Sequence, residues 1–400
     1  MENNLFTEKS DILYKVFTPS SPIQDNKFFA GRIPQITSLM SIIQQNGMHG
    51  ILYGERGVGK TSLANIINIL VSTNYIGVKI SCDHTDDYSA VWRKVFSALT
   101  ISCVETKNIL GFQSKVDEKI NKIPLSNLLS NGDIKPIDVS NLLSLLKQNV
   151  LIIFDEFDRV GHFFDYKIFS DTMKSLSDNT TSIHLLIVGV SDSVTTLIKE
   201  HKSIERNISQ VLLPVMSSDE LHEILLKGLN ELNMSIEEPI KNQIVKFSSG
   251  YPHFTHLLAL RACECALSHN SNHVDNNDFN YAVEKAIDQT HESLREGYQK
   301  ATLTTKQSMF KEVLWACSVA DVDENGTFQA TDLVIPLSKI LNKKITVNHF
   351  IYVLTKLTTS ERGNILLKIG VKKRYRYKYV HPLMKAFVEL IKYKESKPLA

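Results

Sequence analysis

Through the first half of this chain, short apolar runs alternate with stretches whose apolar residues recur at three- and four-residue intervals. Ile51-Leu52-Tyr53 reads as a buried strand, and residues 63–70 carry the spacing of an amphipathic helix. Residues 75–82 predict a second strand and residues 89–99 a second helix. A helix over about 138–147 precedes the apolar run Val150-Leu151-Ile152-Ile153-Phe154, and residues 183–190 and 210–214 predict two more strands. Strands that alternate with helices point to an α/β fold with a parallel sheet, because parallel neighbours need crossover connections. Residues 101–135 are the least periodic part of this half. Gly111, Pro124 and Asn131-Gly132 within them, and Pro136 just beyond, mark an insertion or mobile loop.

From about residue 216 to 290 the pattern is helical, with Ser217 or Ser218 as the N-cap ahead of Asp219-Glu220. Residues 302–395 predict three helices and a hairpin. The helices cover 306–319, 330–341 (with Pro336 inside) and 347–357 after a Thr346 N-cap, and Asp321-Val322-Asp323-Glu324-Asn325-Gly326 supplies a turn. The hairpin pairs 364–369 with 374–380. Along its second strand Arg374, Arg376 and Lys378 fall on one face and Tyr375, Tyr377 and Tyr379 on the other. The expected domains are therefore 1–215, 216–300 and 301–400.

Candidate chemistry concentrates after the first strand. Gly54-Glu55-Arg56-Gly57-Val58-Gly59-Lys60-Thr61 matches the phosphate-binding P-loop at every fixed position, and Ser62 follows. Glycines let backbone N–H groups close around phosphate oxygens, and the following helix adds its positive N-terminal dipole. In that setting Lys60 reaches the β/γ-phosphates and the Thr61 hydroxyl ligates Mg²⁺. The strand ending in Asp155-Glu156 supplies the complementary acids: Asp155 to hold Mg²⁺ and Glu156 to polarise the attacking water. Asp158 and Arg159 continue the motif as an intersubunit pair or an exposed ion pair. At the tip of the next strand, Ser191 (or Asp192) is placed to bond the γ-phosphate or the lytic water, unless Ser191 only caps a helix. Without an Asn-Lys-x-Asp guanine motif, ATP is the expected ligand.

The bulk numbers narrow the setting. At 400 residues the chain suggests two or three domains, and 43% hydrophobic with 22% charged residues is a globular composition. Five cysteines have no framework spacing, and Cys263-x-Cys265 is too close for a C-x-x-C knuckle, so free thiols in a reducing compartment are expected. No signal peptide is visible at Met1-Glu2-Asn3-Asn4 and no apolar run is long enough to span a membrane, which gives a cytoplasmic expectation. Charge is uneven. From Thr302 onward 17 Lys/Arg face 8 Asp/Glu, whereas the residues before carry 28 against 35. A basic tail on an acidic body suits a polyanion.

These motifs resemble those of the AAA+ ATPases, specifically the branch shared by origin-recognition initiators and STAND-type signalling ATPases. The resemblance implies an AAA+ P-loop core, a helical lid and a C-terminal winged-helix domain. It also implies that Pro22, Phe29, Gly31 and Arg32, upstream of the P-loop, lie near the adenine. Arg206, just before the fifth core strand, matches the arginine that reaches a neighbouring subunit's γ-phosphate. In the lid, His253 stands where many AAA+ proteins place the sensor-2 arginine, and Gly250-Tyr251-Pro252 resembles the G-x-P of STAND ATPases. That departure favours a slow switch over a processive motor. The winged-helix resemblance makes Lys372, Lys373, Arg374, Arg376 and Lys378 a DNA-facing wing and sends Asn348, His349, Tyr352 and Lys356 towards the major groove, or else makes the domain a latch or partner surface. Two functions follow. One is an ATP-hydrolysing homo-oligomer that assembles on duplex DNA or on a partner. The other is a STAND-like switch that regulates a separate effector protein. A scaffold without hydrolysis is disfavoured by Glu156, and no membrane partner is expected.

Overall fold

The computed structural model describes residues 5–107, 117–130, 132–180, 182–190, 202–304, 308–323, 326–371 and 374–396. Ser191, Asp192, Lys372 and Lys373 lie outside the described residues. Two compact units divide the chain: Pro22–Pro214, and Met1–Ser21 together with Val215–Ala400.

Helix α1 (Leu5–Val16) opens the chain and belongs to the second unit. The first unit is built from α2 (Ile33–Ile43), β1 (His49–Tyr53), α3 (Lys60–Val71), β2 (Tyr75–Ser81), α4 (Tyr88–Ala98), β3 (Thr100–Lys107), β4 (Asp117–Pro124), α5 (Pro136–Ser144), β5 (Asn149–Asp155), α6 (Tyr166–Asn179), β6 (Ile183–Gly189) and β7 (Ile208–Leu212). Five strands form one sheet in the order β2-β5-β6-β1-β7, with every pairing parallel. Every residue of β6, and all but the first of β5, is buried, as a parallel sheet covered on both faces requires. Because strands run parallel, the C-terminal ends of β1 and β5 open on the same edge of the sheet, with β6 between them.

An aromatic cluster fixes the end of β5. Phe154 packs edge-on against Trp92 and Phe169 at 5.6 and 5.3 Å, and Phe157 lies 5.1 Å from Phe169. All four side chains are fully buried, so Asp155 and Glu156 are pinned between two anchored phenylalanines.

One segment differs from expectation. Where residues 101–135 lack periodicity, β3 and β4 pair as an antiparallel hairpin from Thr100↔Pro124 to Lys107↔Asp117. Backbone pairing alone makes a hairpin, and its polar sequence TISCVETK/DEKINKIP gives no two-residue apolar rhythm to read.

The second unit holds α7 (Ser218–Leu232), β8 (Ser235–Ile236), α8 (Glu238–Ser248), α9 (Pro252–Ser268), β9 (His273–Val274), α10 (Asn276–Gln289), α11 (Glu292–Thr302), α12 (Phe310–Ser318), α13 (Val334–Leu341), α14 (Val347–Lys356), β10 (Leu366–Ile369), β11 (Arg376–Tyr379) and α15 (Met384–Ser396). Ser217 caps α7 through a capping box: its hydroxyl accepts from the Glu220 N–H at 3.2 Å while Glu220 accepts from the Ser217 N–H at 2.9 Å. The sequence grouped residues 1–21 with the P-loop unit, whereas α1 packs on α7 and α9. Leu13, Val16 and Phe17 are buried, and Lys9 donates to the Leu232 carbonyl at the end of α7. An amphipathic helix shows which face it buries but not which partner covers it. The C-terminal elements have their own core, which includes Phe310, Leu314, Phe350, Leu354, Tyr377 and Phe387. There the second predicted helix starts as a 3₁₀ turn (Ala330–Leu333), so Pro336 falls in the first turn of α13, where its missing N–H costs nothing.

Two buried histidines make the fold acid-sensitive. His49 on β1 accepts from the Leu185 N–H at Nδ1 and donates from Nε2 to the Met173 carbonyl, which ties β1 to β6 and α6 as a neutral ring. Burial pushes its pKa down to about 4, and does the same to His256, whose Nδ1 accepts from the Thr18 N–H. The unfolded chain takes up a proton below about 6.5 and the native ring does not until about 4, so this stabilisation is full above 6.5 and lost as pH falls. Urea unfolding at about pH 7 and about pH 5 is expected to show on the order of 2 kcal/mol lost per ring at the lower value. A His49→Gln variant should lose about half of that pH dependence.

Candidate nucleotide site

The loop between β1 and α3 is held from several sides. Gly57 and Gly59 turn at φ of 85° and 97°, and Gly59 delivers the chain into α3 in a conformation that a side chain resists. A Cβ on Gly54 would lie 2.3 Å from the Leu213 carbonyl, so the chain leaving β7 passes directly against the loop. From the buried side, the Arg32 guanidinium donates to the Val58 carbonyl at 2.9 Å. Arg32 itself has φ 63°, next to Gly31 at the same angle, which turns its side chain into the interior at the start of α2. Lys60 lies across the loop and donates to the carbonyls of Gly54 and Glu55 at 2.9 and 2.8 Å. Burial lowers the Lys60 pKa, against the opposing fields of Asp158 and Asp155.

The parallel sheet brings Asp155, which is only 2% exposed, against the first turn of α3. Its Oδ1 accepts from the Thr61 hydroxyl at 3.2 Å and from the Glu156 N–H at 3.0 Å, and Lys79 on β2 pairs with its Oδ2 at 3.5 Å. A hydroxyl and a carboxylate facing each other are hard-oxygen donors of the kind a phosphate-bound Mg²⁺ takes. With the glycine loop, whose N–H groups and helix terminus suit an anion, the residues present fit an Mg²⁺-nucleotide.

Glu156 is left-handed, at φ 55° and ψ 36°, a conformation that non-glycine residues seldom adopt and that marks functional turns. It starts a 3₁₀ turn (Phe157–Arg159), and its half-exposed carboxylate pairs with Arg159 at 2.7 Å. Asp158 and Arg159 therefore do not pair with each other as an exposed ion pair: Asp158 meets Arg56 of the P-loop at 3.4 Å, and Arg159 holds Glu156.

Upstream, Pro22 is exposed and Phe29 half-buried. Ile23 is clasped onto α3 through both its backbone groups: its N–H donates to the Ser62 hydroxyl and its carbonyl accepts from the Asn65 side chain, each at 3.1 Å. Ser62 thus fastens this segment. Asn65 and Lys79 were not among the residues singled out from the sequence. Their signal was a polar side chain interrupting an otherwise apolar helix and strand.

Arg206 is exposed in the 3₁₀ turn before β7, and Ile208 pairs with His49 while Leu212 pairs with Tyr53. Arg206 therefore stands at the end of the sheet opposite the P-loop, a strand length of roughly 15 Å away. Pro252 and His253 belong to the second unit, where Pro252 opens α9 and the His253 Nδ1 donates to the Pro19 carbonyl at 2.8 Å. Burial lowers the pKa of this ring. In the hairpin Arg374 is exposed and Lys378 half-exposed. Arg376 folds back to donate to Thr327 and pairs with Asp323 at 2.9 Å. On the tyrosine face Tyr377 is buried, and the Tyr379 hydroxyl donates to the Leu314 carbonyl.

A five-stranded parallel sheet with strand order β2-β5-β6-β1-β7, a glycine loop after its inner strand and an acid pair at the tip of β5 define a P-loop NTPase of AAA+ architecture. The family model for Novel STAND NTPase 1 matches residues 20–358, and the chain belongs to that family. The Walker-type ATPase PABY2304 of Pyrococcus abyssi shares the fold at 16% identity and a TM-score of 0.52, with 92% of this chain and 99% of that one covered. The Aeropyrum pernix ORC2 protein, solved in ADPNP–ADP complexes, superposes at 14% identity and a TM-score of 0.49, covering 94% of this chain and 99% of its own. Cdc6p from Pyrobaculum aerophilum gives 14% and 0.49, with 95% and 98% covered. No curated protein matches the sequence. Among the described residues no helix is long and apolar enough to cross a membrane.

Arg32→Met is expected to leave the Val58 carbonyl unpaired and loosen the loop. Titration with a fluorescent ATP analogue should show affinity reduced on the order of tenfold, and the melting temperature should fall, since a charged hydrogen bond of this kind is worth about 1.5–3 kcal/mol.

Proposed function

We propose that the protein binds ATP with Mg²⁺, hydrolyses it slowly, and uses the nucleotide state as a switch acting on a separate partner protein. The observation that carries this reading is the convergence of Thr61, Asp155 and Lys60, with Glu156 next in the chain but held by Arg159. Thr61 and Asp155 would hold Mg²⁺, which supplies charge neutralisation on the phosphate oxygens. The loop N–H groups and Lys60, released from the Gly54 and Glu55 carbonyls, would bind the phosphates. Glu156 would take the proton from the attacking water as its oxygen bonds to the γ-phosphorus. The bond to the bridging oxygen then breaks, leaving ADP and phosphate. Arg159 must first let go of Glu156, a step that costs little because the pair is half-exposed.

Position supports an intersubunit role for Arg206. It lies at the far end of its own sheet, beyond the span of an arginine side chain from its own P-loop, so in a homo-oligomer it would complete a neighbour's site. We read the second unit as a helical lid over about 216–300, followed by a winged helix made of α12, α13, α14 and the β10–β11 hairpin. Ile335, Tyr352 and Val371 in this last part are each about 70% exposed, apolar area that a protein partner would cover. Duplex DNA is the second reading, supported by the basic charge of this part and by the exposed Arg374. The tie of Arg376 to Asp323 and Thr327 weakens it.

Phosphate-release assays across a range of protein concentrations test the catalytic assignment. Glu156→Gln is expected to lower turnover by about 100-fold or more. Arg159→Ala should raise it, by no more than about fivefold, because an exposed ion pair is worth at most about 1 kcal/mol. Unchanged turnover in Glu156→Gln would remove Glu156 as the base. Mixing in Arg206→Ala subunits should depress turnover if sites are shared. Duplex affinity that falls steeply with salt and disappears in a Lys372/Lys373/Arg374/Arg376 alanine variant would favour the DNA reading.

A further inference from the structure

Away from the P-loop, the junction of α9 and α10 gathers three side chains of metal-binding type. Cys265 and His269 are four residues apart at the end of α9, so they share one helix face. Asp278 faces them from the first turn of α10. One ligand atom from each lies within 4.8 Å of the other two. Asp278 is 1% exposed and already oriented: its Oδ2 accepts from the Asp275 N–H at 3.0 Å in the capping box of α10, and its Oδ1 accepts from the His269 Nε2 at 2.9 Å. The Cys265 thiol also bonds to this carboxylate. Cys263, two residues away, is fully buried and is not part of the group.

We propose that Cys265, His269 and Asp278 form a binding site for a zinc-class divalent cation that clamps the end of α9 to the start of α10. Thiolate, imidazole and carboxylate together are a borderline-soft donor set, which selects Zn²⁺ or Co²⁺ over the all-oxygen cations Mg²⁺ and Ca²⁺. Tetrahedral coordination at about 2.0–2.3 Å places ligand atoms about 3.3–3.8 Å apart, so the His269–Asp278 pair, at 2.9 Å, opens slightly and gives up its hydrogen bond, while no separation in the group has to close by more than about 1.5 Å, a change side-chain rotation can supply. Three protein ligands leave the fourth position to water or to a group from a partner. A cysteine binds a metal as thiolate, so binding releases the Cys265 thiol proton to solvent. Two negative ligands and a neutral imidazole balance the dication. The second carboxylate oxygen keeps its bond to Asp275 and so orients Asp278 from behind. The site is independent of the nucleotide reading and stands whether or not the P-loop hydrolyses ATP.

Titrating the reduced, metal-free full chain with Co²⁺ tests the proposal. The expected result is a thiolate-to-Co²⁺ charge-transfer band that saturates at one equivalent, disappears when Zn²⁺ is added, persists in Cys103→Ser and is lost in Cys265→Ser. An oxygen-ligated metal at the P-loop gives no such band. His269→Gln, at a half-exposed position where the amide can still donate to Asp278, should weaken Co²⁺ binding by about tenfold or more. A folded chain without the band, or a band that survives Cys265→Ser, overturns the site.

Discussion

A carboxylate taken out of water costs several kcal/mol unless donors replace its hydration, and Asp155 is nearly sealed. The three donors that satisfy it come from three different places: the Thr61 hydroxyl from α3, Lys79 from β2, and the Glu156 N–H from the turn that follows. Meeting the demand of this one charge therefore ties the P-loop helix to the sheet and fixes the turn of the Asp155-Glu156 pair. Phe154 and Phe157, buried on either side, keep the carboxylate from swinging out to find water instead. The left-handed backbone of Glu156 is the local consequence: the chain must turn sharply between two anchored rings while sending its own N–H back to Asp155.

Around this centre several charged groups already have partners within the chain. Lys60 is on loop carbonyls, Arg56 on Asp158, Arg159 on Glu156 and Arg32 on Val58. These fall into two kinds. The Arg32 contact is buried and shapes the loop. The Arg159–Glu156 pair is half-exposed on both sides and costs at most about 1 kcal/mol to open, and Arg56 reaches the largely buried Asp158 from an exposed position. A site of that kind holds its shape while leaving its reactive groups cheaply exchangeable, which suits the nucleotide-dependent switch proposed for this STAND-family chain. The second unit adds its own fixed junctions, with Lys9 capping the end of α7 and Asp278 joining α9 to α10.

The fold was legible wherever period and punctuation are local. The P-loop strand and helix, the Asp-Glu strand, the helix N-cap at Ser217 or Ser218 and the C-terminal hairpin all appear at or within a few residues of their expected places. The β3–β4 hairpin was not legible, because its pairing rests on backbone hydrogen bonds between strands with no apolar rhythm. Nor was the allegiance of α1, whose amphipathic pattern is the same whichever unit covers it.

The amino-acid sequence by itself determined the chemistry on offer: a glycine loop ending in Lys-Thr, an apolar strand ending in Asp-Glu, and the helices and strands that present them, since each depends on residues only a few positions apart. Tertiary structure decided which charges meet. Lys79 reaches Asp155 only because β2 lies beside β5; Arg376 is drawn back onto Asp323 and Thr327, 49 residues away from the latter; and Arg56 meets Asp158 across 102 residues. An ion pair depends on distance in space, and chain separation sets no such distance until the strands have found their order.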